Sequence, residues 1–411
     1  MIHKNKFQKS ILAAALAFTA TQVSAAGFQL NAQSATGLGR AFAGDAVIAD
    51  NASVMARNAA AMALFDKTEL SLGVNFIQTD ITVSDTTYYG PTVPTGASSN
   101  YKNAGDLSIA PNIHLIVPLN EQFAVGVNLY SNFGTKTEFD DSFVGSEYGG
   151  LTDVKSINLG LAASYRINQQ WSIGGGLDIV YGQGTLKRDL NLTSTVSLAA
   201  LDADASGIGL GFNLGTVFEL NENNRFGLSY HYSPEIEAEG DVYQMGTKTS
   251  DTLYLPLPDM AEFSGYHRIT DSKFAVHYSV QWIGWSAFET LDIEGTTGRE
   301  ALNEYSWKDA MHFSLGGTYY LSNSWTLRTG YMYDQSAQDE VTSISVPDSD
   351  RQWFSAGFTY HLNDSANIDF GATYLLGKDV SVSESTAGVS TITGTTHADA
   401  ILAAVQYSHR F

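Results

Sequence analysis

Residues 274–282 read FAVHYSVQW. Phe274, Val276, Tyr278, Val280 and Trp282 share one parity, and Ala275, His277, Ser279 and Gln281 the other. A period of two with one apolar side is the mark of a strand whose faces meet different surroundings. The pattern recurs along the chain. Phe226, Leu228, Tyr230 and Tyr232 oppose Gly227, Ser229 and His231; Met311, Phe313, Leu315, Tyr319 and Leu321 oppose His312, Ser314, Gly316 and Thr318; Ile368, Phe370, Ala372, Tyr374 and Leu376 oppose Asp369, Gly371 and Thr373.

The spacing of these segments carries more than the segments do. Short polar turns recur at Asn120-Glu121, Asn168 to Gln170, Asn221 to Asn224, Asp271-Ser272, Ser322 to Ser324 and Asn363 to Ser365. Between them lie long connections, roughly 77–109, 135–153, 185–206, 238–261, 289–308, 335–350 and 379–397. About fourteen strands joined alternately by short and long connections fit an all-β transmembrane barrel, with tight turns at the periplasmic end and long loops outside. A secreted β-sandwich would also alternate, but it needs no short–long rhythm and would carry a more charged outer face.

Composition agrees. The 411 residues include 38 Gly, 21 Tyr and 21 Phe but no cysteine, which favours strands and turns and excludes disulfides and thiolate metal sites. Residues 1–25 read as a secretory signal: Lys4, Lys6 and Lys9, an apolar stretch from Ile11 to Ala20, and a cleavage site at Val23-Ser24-Ala25. Its removal takes three positive charges from a net −21, leaving about −24 and arguing against nucleic acid as a partner. Beyond it no apolar run reaches the ~18 residues of a membrane-spanning helix, so any membrane crossing is by strands. Residues 67–411 form the expected barrel. Residues 26–66 do not alternate, are rich in small apolar residues, and are long enough to fold back into a lumen as a plug; Ala52 to Leu64 reads as a short helix. The chain contains no GxSxG, HExxH, Walker or EF-hand pattern and its histidines are scattered, so neither an enzyme, a metal site nor a cofactor is expected.

The same N-terminal segment carries a resemblance. Gly27-Phe28-Gln29-Leu30, Ser34, Gly37-Leu38-Gly39-Arg40-Ala41, Gly44, Ala49-Asp50 and Arg57-Asn58 are similar to the hatch of FadL-type long-chain fatty acid transporters. Ser131 to Gly134, Leu257 to Met260, Ser264 to Tyr266, Lys308 to Ala310 and Pro347 to Arg351 follow in family order; Ala59 stands where the family usually has proline. The resemblance implies a 14-stranded outer-membrane barrel with an N-terminal hatch, passive capture of long-chain fatty acids at the outer loops, a lumen pocket, hatch movement and sideways exit through the wall. Aromatic or other neutral hydrocarbons are the alternative cargo, and a general porin or adhesin a more distant one. Outer-membrane lipid, lipopolysaccharide and the barrel assembly machinery are the implied partners of a monomer, and the terminal strand ending in Phe411 resembles an assembly signal.

A fatty acid requires an apolar sleeve and a cation for its carboxylate. Even-numbered positions of the fifth strand face the lumen by parity, a row that ends at Arg188; the tenth strand extends the same reading to Lys308. The resemblance implies a head-group role for both; the plainer reading is that they neutralise lumen acids, and Arg351 is a rival at the same height. Phe28 matches a hatch phenylalanine that reaches the pocket. Leu198, Leu201, Leu253 and Leu255 are apolar residues in long connections, suited either to a capture groove or to loop-on-loop packing. Phe133-Gly134 interrupts an alternating strand and reads as a wall kink, or else as a plain strand end.

Overall fold

The computed structural model describes residues 27–193 and 195–411; the signal segment and its cleavage site near Ala25 lie outside the described residues. Fourteen antiparallel strands close into a barrel. They are β1 (Glu69–Gly90), β2 (Leu107–Pro118), β3 (Phe123–Tyr130, resumed as Gly134–Glu138), β4 (Leu151–Arg166), β5 (Trp171–Thr193), β6 (Val196–Asn221), β7 (Asn224–Tyr232), β8 (Met260–Arg268), β9 (Phe274–Ile283), β10 (Ala310–Ser322), β11 (Trp325–Asp334), β12 (Arg351–Asn363), β13 (Ala366–Leu376) and β14 (Ser390–Arg410). β14 pairs with β1 from Glu69↔Arg410 to Tyr89↔Thr391, so the sheet has no free edge at the seam.

Alternation sorts side chains as the sequence requires. Leu177, Ile208, Leu210, Leu315 and Ile401 point outward and are more than half exposed, while Ser172, Asp178, His277, Ser279, His312 and Gln406 face inward and are buried. Apolar outside and polar inside is the arrangement that hydrocarbon imposes on a barrel wall. Above the short turns, outward aromatics pair across strands: Phe123 with Tyr165 at 4.7 Å, Trp171 with Phe218 at 4.7 Å, Phe274 with Tyr319 at 4.6 Å and Trp325 with Tyr360 at 4.8 Å. Such amphipathic rings settle at a membrane–water boundary and mark the level of the periplasmic interface.

Most of the long connections are more ordered than the sequence suggests. β5 and β6 stay paired through 185–206, with Arg188↔Leu201 and Leu190↔Leu198. Strands Glu235–Gln244 and Thr247–Pro256 form a hairpin between β7 and β8, Thr290–Gly295 and Gly298–Glu304 another between β9 and β10, and Val380–Thr386 pairs back on β14. Beyond the bilayer neither face must be apolar, so alternation fades from the sequence although backbone pairing continues.

Residues 27–66 lie inside the ring, within reach of every strand from β1 to β14. Asn75 on β1 donates to Ala32 O at 2.7 Å, His114 on β2 contacts Gln33 O at 3.0 Å, Ser264 and Ser279 on β8 and β9 accept from Ala46 N and Gly44 N, and Gln406 on β14 accepts from Ala35 N. The expected single helix over Ala52–Leu64 is instead two 3-10 turns, Ala52–Ala56 and Ala59–Leu64. Asn51 and Asn58 each cap one, accepting from Ser53 N and Ala60 N, so the second cap breaks the run at Arg57-Asn58.

The wall gives way where this segment presses closest. Inward-facing glycines recur at Gly316, Gly330, Gly357 and Gly371 on four consecutive strands, β10 to β13. A Cβ at Gly330 would lie 2.1 Å from the backbone oxygen of Arg40, and one at Gly371 2.3 Å from that of Ala35. Only glycine allows two backbones so near. Gly330→Val is therefore expected to unseat the segment while the barrel still closes. Trypsin would then cut after Arg40 and Arg57, which are 2% and 5% exposed in the native fold. A cleavage pattern identical to that of the parent protein would refute the argument.

Candidate functional site

Arg188 sits near the outer end of β5 with its side chain turned inward, as strand parity requires. Its guanidinium donates to Leu151 O at 2.5 Å, to Lys187 O at 2.8 Å and to Thr152 Oγ1 at 2.6 Å. Among the described residues it forms no ion pair. Burial works against its charge, while Tyr305 and Glu384 nearby favour it. A buried cation whose hydrogen bonds go only to neutral oxygens retains an attraction for an anion that no directly bonded carboxylate satisfies.

Arg188 lines a vestibule of about 500 Å³ at the outer mouth, together with Leu201, Leu190, Tyr305, Tyr148 and Glu384. Beneath lies a narrow apolar pocket of about 20 Å³, bounded by Phe28, Val154, Leu253, Leu255, Phe288 and Val346. Leu186, Leu291 and Tyr305 border both spaces, and Thr152, the partner of Arg188, borders the lower one. The cation therefore stands above an apolar shaft that ends on the N-terminal segment. The shaft has room for about one water molecule. An alkyl chain can enter only if a wall of the shaft moves.

Phe28 is the part of that wall contributed by the N-terminal segment. Its ring meets Trp285 at 4.7 Å, Phe288 at 5.1 Å, Trp307 at 5.7 Å and Phe133 at 6.1 Å, mostly edge to face. Its backbone is tied to β3: Gly134 N donates to Phe28 O at 2.7 Å, and Leu30 N donates to Asn132 O at 2.5 Å. Those bonds flank the opposed pair Gln29 and Phe133, the geometry of a non-hydrogen-bonded antiparallel pair. β3 is thus interrupted rather than ended at Phe133. It resumes at Gly134, and both of its halves pair with β4. On the other side β2 pairs with β3 only over Ile113–Pro118, and among the described residues the Gly134–Glu138 half is not laddered to β2. The wall departs from a continuous sheet where the N-terminal segment touches it.

Other expected site residues lie elsewhere. Lys308 does not border either cavity; it is exposed and pairs with Asp339 at 3.0 Å. Parity fails there because β10 begins only at Ala310, and residues 305–309 have no strand geometry to extend it. Arg351 is buried and pairs with Asp348. Leu198, Leu201, Leu253 and Leu255 do not share one outer groove. Leu253 and Leu255 are buried in the shaft, Leu201 lines the vestibule, and Leu198 is half-buried near Gly246. The two hairpins fold over the mouth, so their alternate residues turn inward instead of forming an outer surface. Glu384 and Tyr305 were not singled out from the sequence, because both lie in the long connections between the wall strands. A hollow of about 850 Å³ bounded by Leu161, Leu177 and Leu214 opens on the outward face and belongs to the lipid surface, not to the lumen.

Below the shaft a chain of charges ties the N-terminal segment to the barrel. Arg40 meets Asp45 at 2.7 Å and Asp50 at 2.9 Å; Arg57 meets Glu262 of β8 at 3.4 Å and Asp45 at 3.6 Å; Arg328 of β11 meets Asp50 at 3.2 Å.

Residues 16–411 match the family model described as outer membrane protein transport protein (OMPP1/FadL/TodX). The long-chain fatty acid transport protein of Escherichia coli K12 is 37% identical, over 93% of this chain and 95% of its own. Outer membrane protein P1 of Haemophilus influenzae is 35% identical, with 92% of each chain covered. Among solved structures, a Pseudomonas aeruginosa FadL homologue superposes with a TM-score of 0.86 at 22% identity, covering 94% of this chain and 100% of that one. The Pseudomonas putida toluene transporter TodX does so with a TM-score of 0.65 at 17% identity, covering 94% and 100%.

Proposed function

The chain belongs to the OMPP1/FadL/TodX family of outer membrane transport proteins, and from that premise we propose that it carries long-chain fatty acids passively across the outer membrane. The observation that carries this reading is Arg188, a buried cation without a carboxylate partner, set directly above an apolar shaft closed by Phe28. A carboxylate at Arg188 leaves its alkyl tail pointing down the shaft. Residues 27–66 act as the hatch. A tail that enters must displace Phe28, and Phe28 is bonded through its backbone to the interrupted strand at Phe133-Gly134. Occupancy of the shaft is thereby coupled to a place where the wall is not continuously laddered, and the tail leaves sideways into the bilayer. Partitioning downhill into lipid drives the step, with no energy source required.

A channel for neutral aromatic hydrocarbons is the second reading, favoured by the Phe28, Trp285, Phe288 and Trp307 rings around the shaft. Saturable binding of radiolabelled oleate to the purified protein, with toluene and oleyl alcohol as competitors, separates the two. Equal competition by toluene would make the neutral channel the better reading.

The hatch movement has its own test. The chain has no cysteine, so Gln29→Cys with Phe133→Cys places a single engineered pair at opposed positions on adjoining strands. Oxidation is expected to abolish oleate uptake in cells, and reduction to restore it. Uptake that persists with the disulfide formed would rule out hatch movement at this junction.

A further inference from the structure

Resting on the fatty-acid reading above, we propose that Glu384 is a specificity-determining residue of the vestibule: ionised, it competes with the ligand's carboxylate for Arg188, and protonated, it admits it. Arg188 and Glu384 line the same 500 Å³ space from opposite sides of the mouth, one on β5 and the other on the strand Val380–Thr386. Glu384 is half-buried, and its Oε1 accepts one hydrogen bond, from Ile344 N at 2.7 Å. Among the described residues it forms no ion pair. The vestibule thus holds a cation and a carboxylate near enough to influence each other, with neither committed to the other. An anionic head group arriving at Arg188 enters the field of Glu384 as well.

The remaining groups that face this space are Glu147 and Tyr148 from the connection after β3, Glu304 and Tyr305 before β10, and Glu340 before β12. Arg188 is the only arginine or lysine among the described lining residues. Burial pushes the Glu384 carboxyl up to about 7, against the opposing pull of the Ile344 amide and of Arg188. At lower pH it is neutral and its own opposition to the field of Arg188 is removed. As pH rises through that value it ionises, and the affinity for an anion falls. If an anion binds only when Glu384 is protonated, affinity drops roughly tenfold between pH 6 and pH 8.

Fatty acids titrate themselves, so tetradecyl sulfonate, ionised at every pH used, is the probe. Its Kd for the purified full chain is measured from pH 5.5 to 8.5, with oleyl alcohol as a neutral control. The parent protein is expected to bind the sulfonate about tenfold more weakly at pH 8 than at pH 6. Glu384→Gln and Glu384→Ala are expected to bind it at all pH values as tightly as the parent does at low pH. Oleyl alcohol binding should be level throughout, which also shows that each variant is folded. A parent profile without slope, or a slope that survives in both variants, overturns the role of Glu384 while leaving the fatty-acid reading intact. No saturable sulfonate or oleate binding by any form at any pH overturns the fatty-acid reading itself, and with it this inference.

Discussion

Arg188→Ala is expected to weaken oleate binding ten- to hundredfold and to leave oleyl alcohol binding within about twofold of the parent. The magnitude follows from what is removed. A hydrogen bond to a charged group contributes about 1.5–3 kcal/mol, and each 1.4 kcal/mol is a factor of ten. The neutral ligand has the same tail and no charge, so it reports on the shaft alone. Arg188 also holds Leu151 O and Thr152 Oγ1, so a general loosening of the mouth would weaken both ligands together. Only a separation between them assigns the loss to the carboxylate. Arg188→Lys sharpens the point. Lysine keeps the charge but not the planar fork that reaches Leu151, Thr152 and a ligand at once, so it should recover part of the affinity. Equal losses for acid and alcohol, or no loss for either, would remove Arg188 from the head-group role.

The inward position of Arg188 was legible in the sequence because β5 is continuous from Trp171 to Thr193, and parity counted from Ile173 and Leu177 survives all the way to the outer rim. The same reasoning failed for Lys308, where the strand begins two residues too late. Arg351 sits at an equivalent height, but Asp348, three residues earlier, already occupies its guanidinium. No pattern of spacing reveals that, since it depends on how an irregular segment folds back. The strand count and the lipid-facing set were readable because the bilayer forces alternation on every residue it touches. The extramembrane hairpins were not, because water accepts either face. Glycines 316, 330, 357 and 371 all have lumen parity, yet their meaning appears only when the backbone of Gly39 to Ala41 is seen against them. Glu384 was invisible for a related reason: its hydrogen-bond donor Ile344 and the nearby Arg188 come from distant parts of the chain, and nothing local in VSVSEST marks it.

The electrostatic chain beneath the shaft makes a second large prediction, concerning closure. Arg40 is 2% exposed and bonded to two carboxylates, both belonging, like Arg40 itself, to the N-terminal segment. Arg57 and Arg328 continue the chain to Glu262 and towards Asp369, which lies 4.0 Å from Arg328. Removing one member of a buried ion pair costs about 3–5 kcal/mol, because the stranded partner keeps its desolvation penalty. Arg40→Ala leaves Asp45 with only the longer contact to Arg57 at 3.6 Å and places that cost on the segment that fills the lumen. The barrel has its own closed ladder and does not depend on Arg40. The strain is therefore expected to be relieved by partial withdrawal of residues 27–66, which opens an aqueous path. In a planar bilayer the parent protein should be silent and Arg40→Ala should show stepwise ion conductance. Adding Asp45→Asn should suppress much of that conductance, since the neutral amide no longer needs the cation, while Asp50 keeps its pairing with Arg328 at 3.2 Å. This rescue distinguishes the mechanism from a mere cavity: a hole left by the missing side chain would conduct equally with either set of partners. If Arg40→Ala is as silent as the parent, the segment is held by its glycine seat and its backbone bonds to the wall, and the charge chain contributes little to closing the lumen.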